Sequence, residues 1–149
     1  MRTRKYRVIT TLERLNNRMT RFALLRGFGP PWFALLETTG RRSGRPRYTP
    51  VGVGMRRGDN VFWLIAAHGT QSDYVRNIQK DPRVRVRWRN AWHPGVATLL
   101  PDDDVDARSR ALPVRWDAAF GRAIASTPLT IRIDLQLAEP NPANEDHLP

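Results

Sequence analysis

The sequence predicts an α+β domain whose strands form a mostly antiparallel sheet or a small barrel. Five or six short, largely apolar stretches are joined mainly by hairpin turns, and helical patterns occur only at the start, in the middle and near the end. Strands and helices do not alternate regularly, and neither the Gly-x-Gly-x-x-Gly fingerprint nor the P-loop pattern is present. These features disfavour a dinucleotide-binding fold. The 149 residues suit a single domain.

The domain is predicted to begin with an amphipathic helix within residues 1–27. Arginines form one stripe of this helix, and the glycines and prolines of residues 27–31 end it. Such a helix suits either docking onto the sheet or lying on an anionic membrane surface. We favour docking, because the linker is short enough to fold the helix back onto the first strand. The apolar stripe, whose members recur every three or four positions, consists of Val8, Leu12, Leu15, Met19 and Phe22.

The remaining elements follow from apolar stretches bounded by turn formers. A short helix is predicted over 73–80 with Ser72 as its N-cap, and a longer helical stretch over 105–125. The proline-containing residues 139–149 are expected to form a loose tail. Strands are predicted at residues 32–38, 47–55, 61–67, 83–89, 96–100 and 129–137.

The charge distribution predicts an anionic partner at one face of the molecule. Residues 1–57 hold 14 basic and 2 acidic side chains, whereas residues 58–149 hold 11 and 12. Nearly all the basic residues are arginines, whose planar guanidinium matches phosphate and carboxylate. A cofactor, a membrane or a nucleic acid would each supply such an anion, and an ordinary solvated surface is the plain alternative. The chain has no cysteine and its three histidines share no ligand spacing, so disulfides and a metal site are not expected.

Three segments are candidates to bind this anion. Residues 38–47 combine glycines, hydroxyls and arginines in a turn, which suits an anion nest as well as it suits a basic surface hairpin. Residues 66–70 are mostly small and lead towards the helix after Ser72, so free amides and room for a flat ring are expected there. Along 83–89 arginines alternate with apolar residues. That cationic strand face is either a groove for an extended acidic tail or a solvated outer face.

These segments together resemble the deazaflavin (coenzyme F-420)-dependent nitroreductase and quinone reductase family. The resemblance rests on Thr-Thr-Gly-Arg-Arg-Ser-Gly at 38–44, on Arg47 and Pro50, on residues 61–69, on Tyr74 with Asn77, and on the Pro-x-Val-x-Val pattern at 82–86. It implies a split β-barrel related to FMN-binding pyridoxamine-phosphate oxidases. It also implies an oxidoreductase that transfers hydride from reduced coenzyme F-420 to a quinone, an enone or a nitro compound.

The resemblance further implies which residues hold the coenzyme. Its phosphate and acidic tail would lie on Arg41, Arg42, Ser43, Gly44 and Arg47. Its ring would lie beside Pro50 and Val51 and beside the strand end and loop formed by Ala66, Ala67, His68 and Gly69. The helix would close the site with Tyr74, Arg76 and Asn77. No proton donor is assigned, because relatives often carry tyrosines after the last helix and this chain has none beyond Tyr74.

Several alternatives remain open at this point. An FMN-dependent reductase of the same fold would also need a phosphate site, although its tail is shorter and less acidic. A non-enzymatic coenzyme-binding protein would need no proton donor. Nucleic-acid binding is disfavoured because the aromatic residues do not interleave with the arginines. A cytoplasmic protein is expected, with peripheral membrane contact through the N-terminal helix as the alternative, since no apolar stretch approaches ~20 residues.

Overall fold

The computed structural model describes residues 18–19, 21–28, 31–55, 59–112 and 127–136. Its described part contains one sheet, with strand order β2-β1-β4-β5-β6-β3 and antiparallel pairing between all neighbours. A helical segment precedes the sheet (α1, residues 21–25), and two further helices are α2, Asp73–Lys80, and α3, Val105–Ala111. The strands are β1 Phe33–Thr39, β2 Pro46–Gly52, β3 Val61–Ala66, β4 Arg83–Trp88, β5 Ala91–Leu100 and β6 Leu129–Leu135.

The sheet owes its core to side chains that alternate along the strands. In β4, Val84 and Val86 are buried, whereas Arg83 and Arg85 between them are exposed, so the predicted period of two is confirmed. Strand β6 follows the same rule from Ile131 onward. Among the described residues, the curled sheet encloses one apolar cluster that also includes residues of α2.

The two edge strands approach each other where the chain leaves β2. The Trp63 amide of β3 donates to the Gly54 carbonyl oxygen at 3.0 Å. A Cβ atom at Gly54 would lie 1.5 Å from the Trp63 carbonyl oxygen. The backbones touch because position 54 has no side chain, and the sheet therefore curls into a partly closed barrel.

The start of β5 differs from the prediction, which began that strand at residue 96. Arg89 and Asn90 have φ angles of 50° and 61° and form a tight two-residue turn. Because this turn sends the chain straight back along β4, β5 begins at Ala91 and includes Pro94, which faces Arg85. Arg89 therefore lies in the turn, and its prediction as a strand residue was wrong.

The predicted helices are confirmed only in part, because many of their residues fall outside the described ones. The helix over 73–80 is confirmed, and the stretch over 105–125 is helical for Val105–Ala111. Residues 113–126, the tail 139–149 and residues 1–17 of the N-terminal helix lie outside the described residues. Within the described part of the chain, none of the helices is long and apolar enough to cross a bilayer.

Candidate functional site

A basic cleft of about 370 Å³ lies between the β1–β2 turn and α2. The turn is tight, since the Gly40 amide donates to the Arg45 carbonyl oxygen and the Gly44 amide to the Gly40 carbonyl oxygen, each at 2.8 Å. Gly44 has a φ of +67°, which favours glycine. The cleft is lined by Arg21, Gly40, Arg41, Arg42, Ser43, Arg47, Tyr48, Thr49, Asp73, Tyr74 and Asn77.

Arg41 is a structural link between the turn and α2. Its backbone amide and its Nη1 donate to Asn77 Oδ1 at 3.2 and 3.1 Å, and its Nη2 lies 2.9 Å from Asp73 Oδ1. Asn77 is buried and donates through Nδ2 to Thr38 Oγ1 at 3.1 Å. These bonds already use much of the hydrogen-bonding capacity of Arg41 within the protein, and they hold the turn against the helix.

Arg42 and Arg47 differ from Arg41 because both are exposed and neither forms an ion pair within the described residues. The ordinary role of unpaired guanidinium groups is to remain solvated, but here both line one concave surface with the Ser43 hydroxyl. Among the described residues that line the cleft, the only carboxylate is Asp73, and it is paired with Arg41. The cleft therefore presents donors suited to phosphate or carboxylate.

A second cavity, the apolar slot, has a volume of about 170 Å³ and lies between the end of β2, β3 and the start of α2. Tyr74 lines both the apolar slot and the basic cleft, so the two cavities meet at this side chain. The lining of the slot is mostly aliphatic side chains and backbone, from Pro50, Val51, Gly52, Val53, Gly54, Trp63, Leu64, Ile65, Ala67, His68, Ser72, Tyr74 and Leu112.

Ten of the fourteen site residues expected from the sequence line one cavity or the other. The other four lie elsewhere for identifiable reasons. Gly44 shapes the turn, and Ala66 is fully buried. Gly69, with φ +48°, packs against the Thr127 carbonyl oxygen, and Arg76 Nε donates to the Thr70 carbonyl oxygen at 2.9 Å. The ten are Arg41, Arg42, Ser43, Arg47, Tyr74 and Asn77 in the cleft and Pro50, Val51, Ala67 and His68, with Tyr74 again, in the slot.

Several lining residues were not predicted from the sequence. Tyr48 and Thr49 lie on β2 beside the expected positions, and Gly54 and Trp63 line the slot where the barrel closes. Period-two alternation could have placed Tyr48 beside the turn, but no local pattern indicates a contact between positions 54 and 63. Arg21, one of the arginines of the predicted N-terminal helix, also lines the cleft.

Two phenols lie in this region, and both are held in the protonated form. Burial raises the pKa of Tyr74, and a hydrogen bond with the Ser72 hydroxyl opposes that rise. Burial also raises the pKa of Tyr48, and the charge of Glu37 and a hydrogen bond to it add to the effect. Ser72 precedes α2 as predicted, yet its side chain makes no capping hydrogen bond.

The arginines of β4 do not form an open cationic groove. Arg83 Nη2 lies 2.9 Å from Asp81 Oδ2, and this hydrogen-bonded partner lowers the pKa of Asp81. Arg85 Nε donates to Glu37 Oε1 at 2.8 Å. Arg87 donates to the Leu25 carbonyl oxygen at 2.5 Å and so ties α1 to the sheet. Since these three side chains are paired, the geometry favours a solvated outer face over a groove for an acidic tail.

Solved structures with the same architecture define the class of fold. The chain is 20% identical to an F-420-H2 dependent reductase (FDR-A), with a TM-score of 0.53, covering 70% of this chain and 94% of that one. An F-420 reductase is also 20% identical, with a TM-score of 0.53 and coverage of 72% and 88%. A protein of unknown function from Agrobacterium tumefaciens is 20% identical, with a TM-score of 0.55 and coverage of 71% and 49%. The chain thus has the split β-barrel α+β fold that was predicted.

The family follows from the sequence comparison. The family model for F-420H(2)-dependent quinone reductase matches residues 5–136, and the chain belongs to that family. It is therefore an F-420-dependent oxidoreductase, as the resemblance implied. No curated protein sequence matches the chain.

Proposed function

We propose that the protein holds coenzyme F-420 across the basic cleft and the apolar slot and reduces a quinone, an enone or a nitro compound. The observation that carries this proposal is the position of Tyr74, which lines both cavities and so joins a cationic surface to an apolar one. A coenzyme with a flat ring and an acidic tail has the same two-part character. FMN shares the ring and a phosphate, but it would leave more of the arginine surface without an anion.

The chemistry of the lining fits the coenzyme. Arg42, Ser43 and Arg47 offer charged and neutral donors to phosphate and carboxylate oxygens. Pro50 and Val51 offer apolar surface to one side of a ring, and Ala67 leaves room near the backbone because its side chain is small. Arg41 and Asn77 would support this surface indirectly, since their polar atoms hold the turn in place.

When bound, the reduced coenzyme supplies a hydride to the acceptor. The chain's own residues orient the reactants and exclude water. Val53, Leu64 and Leu112 give the slot apolar walls, and a slot poor in water protects the hydride from side reactions. When the acidic tail of the coenzyme binds in the cleft, its ring would be held in the slot. Binding free energy from the cleft would then help to orient the ring in the slot.

Titration of the coenzyme-free protein with coenzyme F-420 and with FMN tests this proposal, followed by oxidation of the reduced coenzyme with menadione, cyclohexenone and a nitroaromatic compound. We expect saturable binding of coenzyme F-420 that is tighter than that of FMN, and turnover with at least one acceptor. Tighter binding of FMN would favour the flavin alternative. Binding without turnover of any acceptor would favour a coenzyme carrier, and the absence of binding would overturn the proposal.

We also propose that α1 and the segment after it contact an anionic membrane surface. Met19, Phe22, Phe28 and Trp32 are 69%, 58%, 74% and 53% exposed, so these apolar side chains remain accessible even though Arg87 ties α1 to the sheet. The docking of the whole apolar stripe stays a prediction, because Val8, Leu12 and Leu15 lie outside the described residues. Exposed apolar side chains beside arginines suit the boundary between lipid headgroups and acyl chains. An anionic surface would also bring the site close to lipophilic quinones.

Replacement of Met19, Phe22 and Phe28 together by serine is expected to abolish the sedimentation of the protein with phosphatidylglycerol vesicles. Each large apolar side chain contributes roughly 1.5–3 kcal/mol when fully buried, and the folded core should not change because these positions are exposed. The matched control is Val96→Ser, which removes an apolar side chain that is 44% exposed on β5. The membrane proposal would be contradicted if wild type and the triple variant sediment equally, or if wild type does not sediment at all. If wild type forms a dimer in solution and the triple variant is a monomer, these apolar side chains form an interface between copies of the chain instead.

A further inference from the structure

The proposed reduction requires a proton as well as a hydride, because an oxygen of the acceptor gains a hydrogen when a carbonyl or quinone is reduced. Among the described residues that line the apolar slot, few side chains carry polar atoms. They are the hydroxyls of Ser72 and Tyr74, the imidazole of His68 and the indole of Trp63. The proton donor is therefore to be sought in a short list of described residues.

Ser72 and Tyr74 form a pair at the start of α2. Ser72 occupies the N-cap position with extended backbone angles, φ −75° and ψ 135°, but its hydroxyl caps no amide. Ser72 lines the apolar slot together with Tyr74. A capping serine stabilises a helix by about 1 kcal/mol. This helix forgoes that contribution, and the serine side chain shares the slot with a phenol that lines both cavities.

We infer that Tyr74 donates the proton to the acceptor and that Ser72 is the positioning residue that orients the phenol and returns its proton. The inference rests on the proposed function of the same site. As hydride forms a new bond to the acceptor, the Tyr74 O–H bond breaks and an O–H bond forms on the acceptor oxygen. The tyrosinate then takes the proton of the Ser72 hydroxyl, which regains one from water. Two electrons and one hydrogen come from the reduced coenzyme, and one proton comes from solvent through the pair.

The state of the phenol supports this role. Burial raises the pKa of Tyr74 above its ordinary value, so the group remains protonated at physiological pH and can donate a hydrogen bond to the acceptor before hydride transfer. The nearby Ser72 hydroxyl lowers the pKa of Tyr74 and so works against that rise, because a hydroxyl beside the phenol stabilises the tyrosinate that forms when the proton leaves. A donor that is neutral at rest and stabilised after transfer suits general acid catalysis.

Tyr74→Phe tests the inference in a single-turnover reaction of the complex with reduced coenzyme and menadione or cyclohexenone. We expect the rate of coenzyme oxidation to fall on the order of 100-fold, while the dissociation constant of the coenzyme stays the same. Wild type should show a solvent deuterium isotope effect that Tyr74→Phe lacks or alters, and the variant's rate should rise at low pH, where hydronium replaces the phenol. Ser72→Ala should show a smaller loss of rate, and Ser109→Ala in α3 is the matched control for removing a serine hydroxyl away from the cavities.

Three outcomes would overturn the inference. A weaker coenzyme affinity in Tyr74→Phe with an unchanged rate would make the phenol a coenzyme contact. An unchanged rate and an unchanged isotope effect would remove it from the reaction. Loss of the isotope effect in His68→Gln and not in Tyr74→Phe would assign the proton to the imidazole. If wild type itself fails to bind coenzyme F-420, the proposed function fails first, and the binding titration separates that result from the others.

Discussion

Alanine at Arg42 or at Arg47 is expected to weaken the binding of coenzyme F-420 by roughly 10- to 100-fold, since a charge-assisted hydrogen bond contributes about 1.5–3 kcal/mol. Both guanidinium groups line the basic cleft without an ion-pair partner in the described part of the chain. Because both are exposed, the loss should be largest at low salt, where screening is weak. Fluorescence titration of each variant, with the melting temperature measured alongside, gives the result.

The β1–β2 turn provides its own controls for this experiment. Arg45→Ala removes an exposed arginine from the same turn that does not line the cleft, so its affinity should match wild type. Arg41→Ala should lower the melting temperature, because it breaks the ion pair with Asp73 and the bond to Asn77. Equal losses of affinity in all the arginine variants would indicate a general charge effect, and unchanged affinity in both Arg42→Ala and Arg47→Ala would remove the cleft from coenzyme binding.

The contrast among these arginines shows what the sequence could and could not predict about the site. The residues of the β1–β2 turn are close in sequence, and their composition indicates an anion site. Which arginine of the turn is bonded to other protein groups depends on Asp73 and Asn77. These two residues are far along the chain and contact Arg41 only after α2 packs against the turn. Local patterns carry no information about that pairing. The same holds for Arg85 and Glu37, whose ion pair joins neighbouring strands.

The fold was predicted more completely because its main signals are local. Alternation of arginine and valine predicted β4 and its buried face, and turn formers bounded most other strands. The β4–β5 hairpin was missed because arginine followed by asparagine is not a common pair for two left-handed positions. The predicted strand began only at residue 96, whereas Pro94 and Gly95 both lie inside β5. Tertiary pairing with β4 and β6 holds this segment extended despite its composition.

The closure of the barrel rests on Gly54, and Gly54→Ala is expected to destabilise the protein by about 3 kcal/mol, the upper part of the range for overpacked contacts. A Cβ atom there would lie 1.5 Å from the Trp63 carbonyl oxygen and 2.6 Å from the carbonyl carbon. Both atoms belong to the backbone, so no side-chain rotation relieves the overlap. The strand edges must separate, and the hydrogen bond between the Trp63 amide and the Gly54 carbonyl oxygen is stretched or lost. For a chain of this size the melting temperature should fall by roughly 10 °C.

Gly44→Ala is the matched control, because it also adds one methyl group to a glycine but meets no atom within 4 Å. Its φ of +67° costs alanine about 1–2 kcal/mol, so it measures backbone strain without overlap. Gly54 also lines the apolar slot with Trp63, and separation of the edges should therefore lower coenzyme affinity even at temperatures where the variant is folded. If Gly54→Ala melts at the wild-type temperature, or no lower than Gly44→Ala, the close approach of the two strand edges does not hold the barrel together.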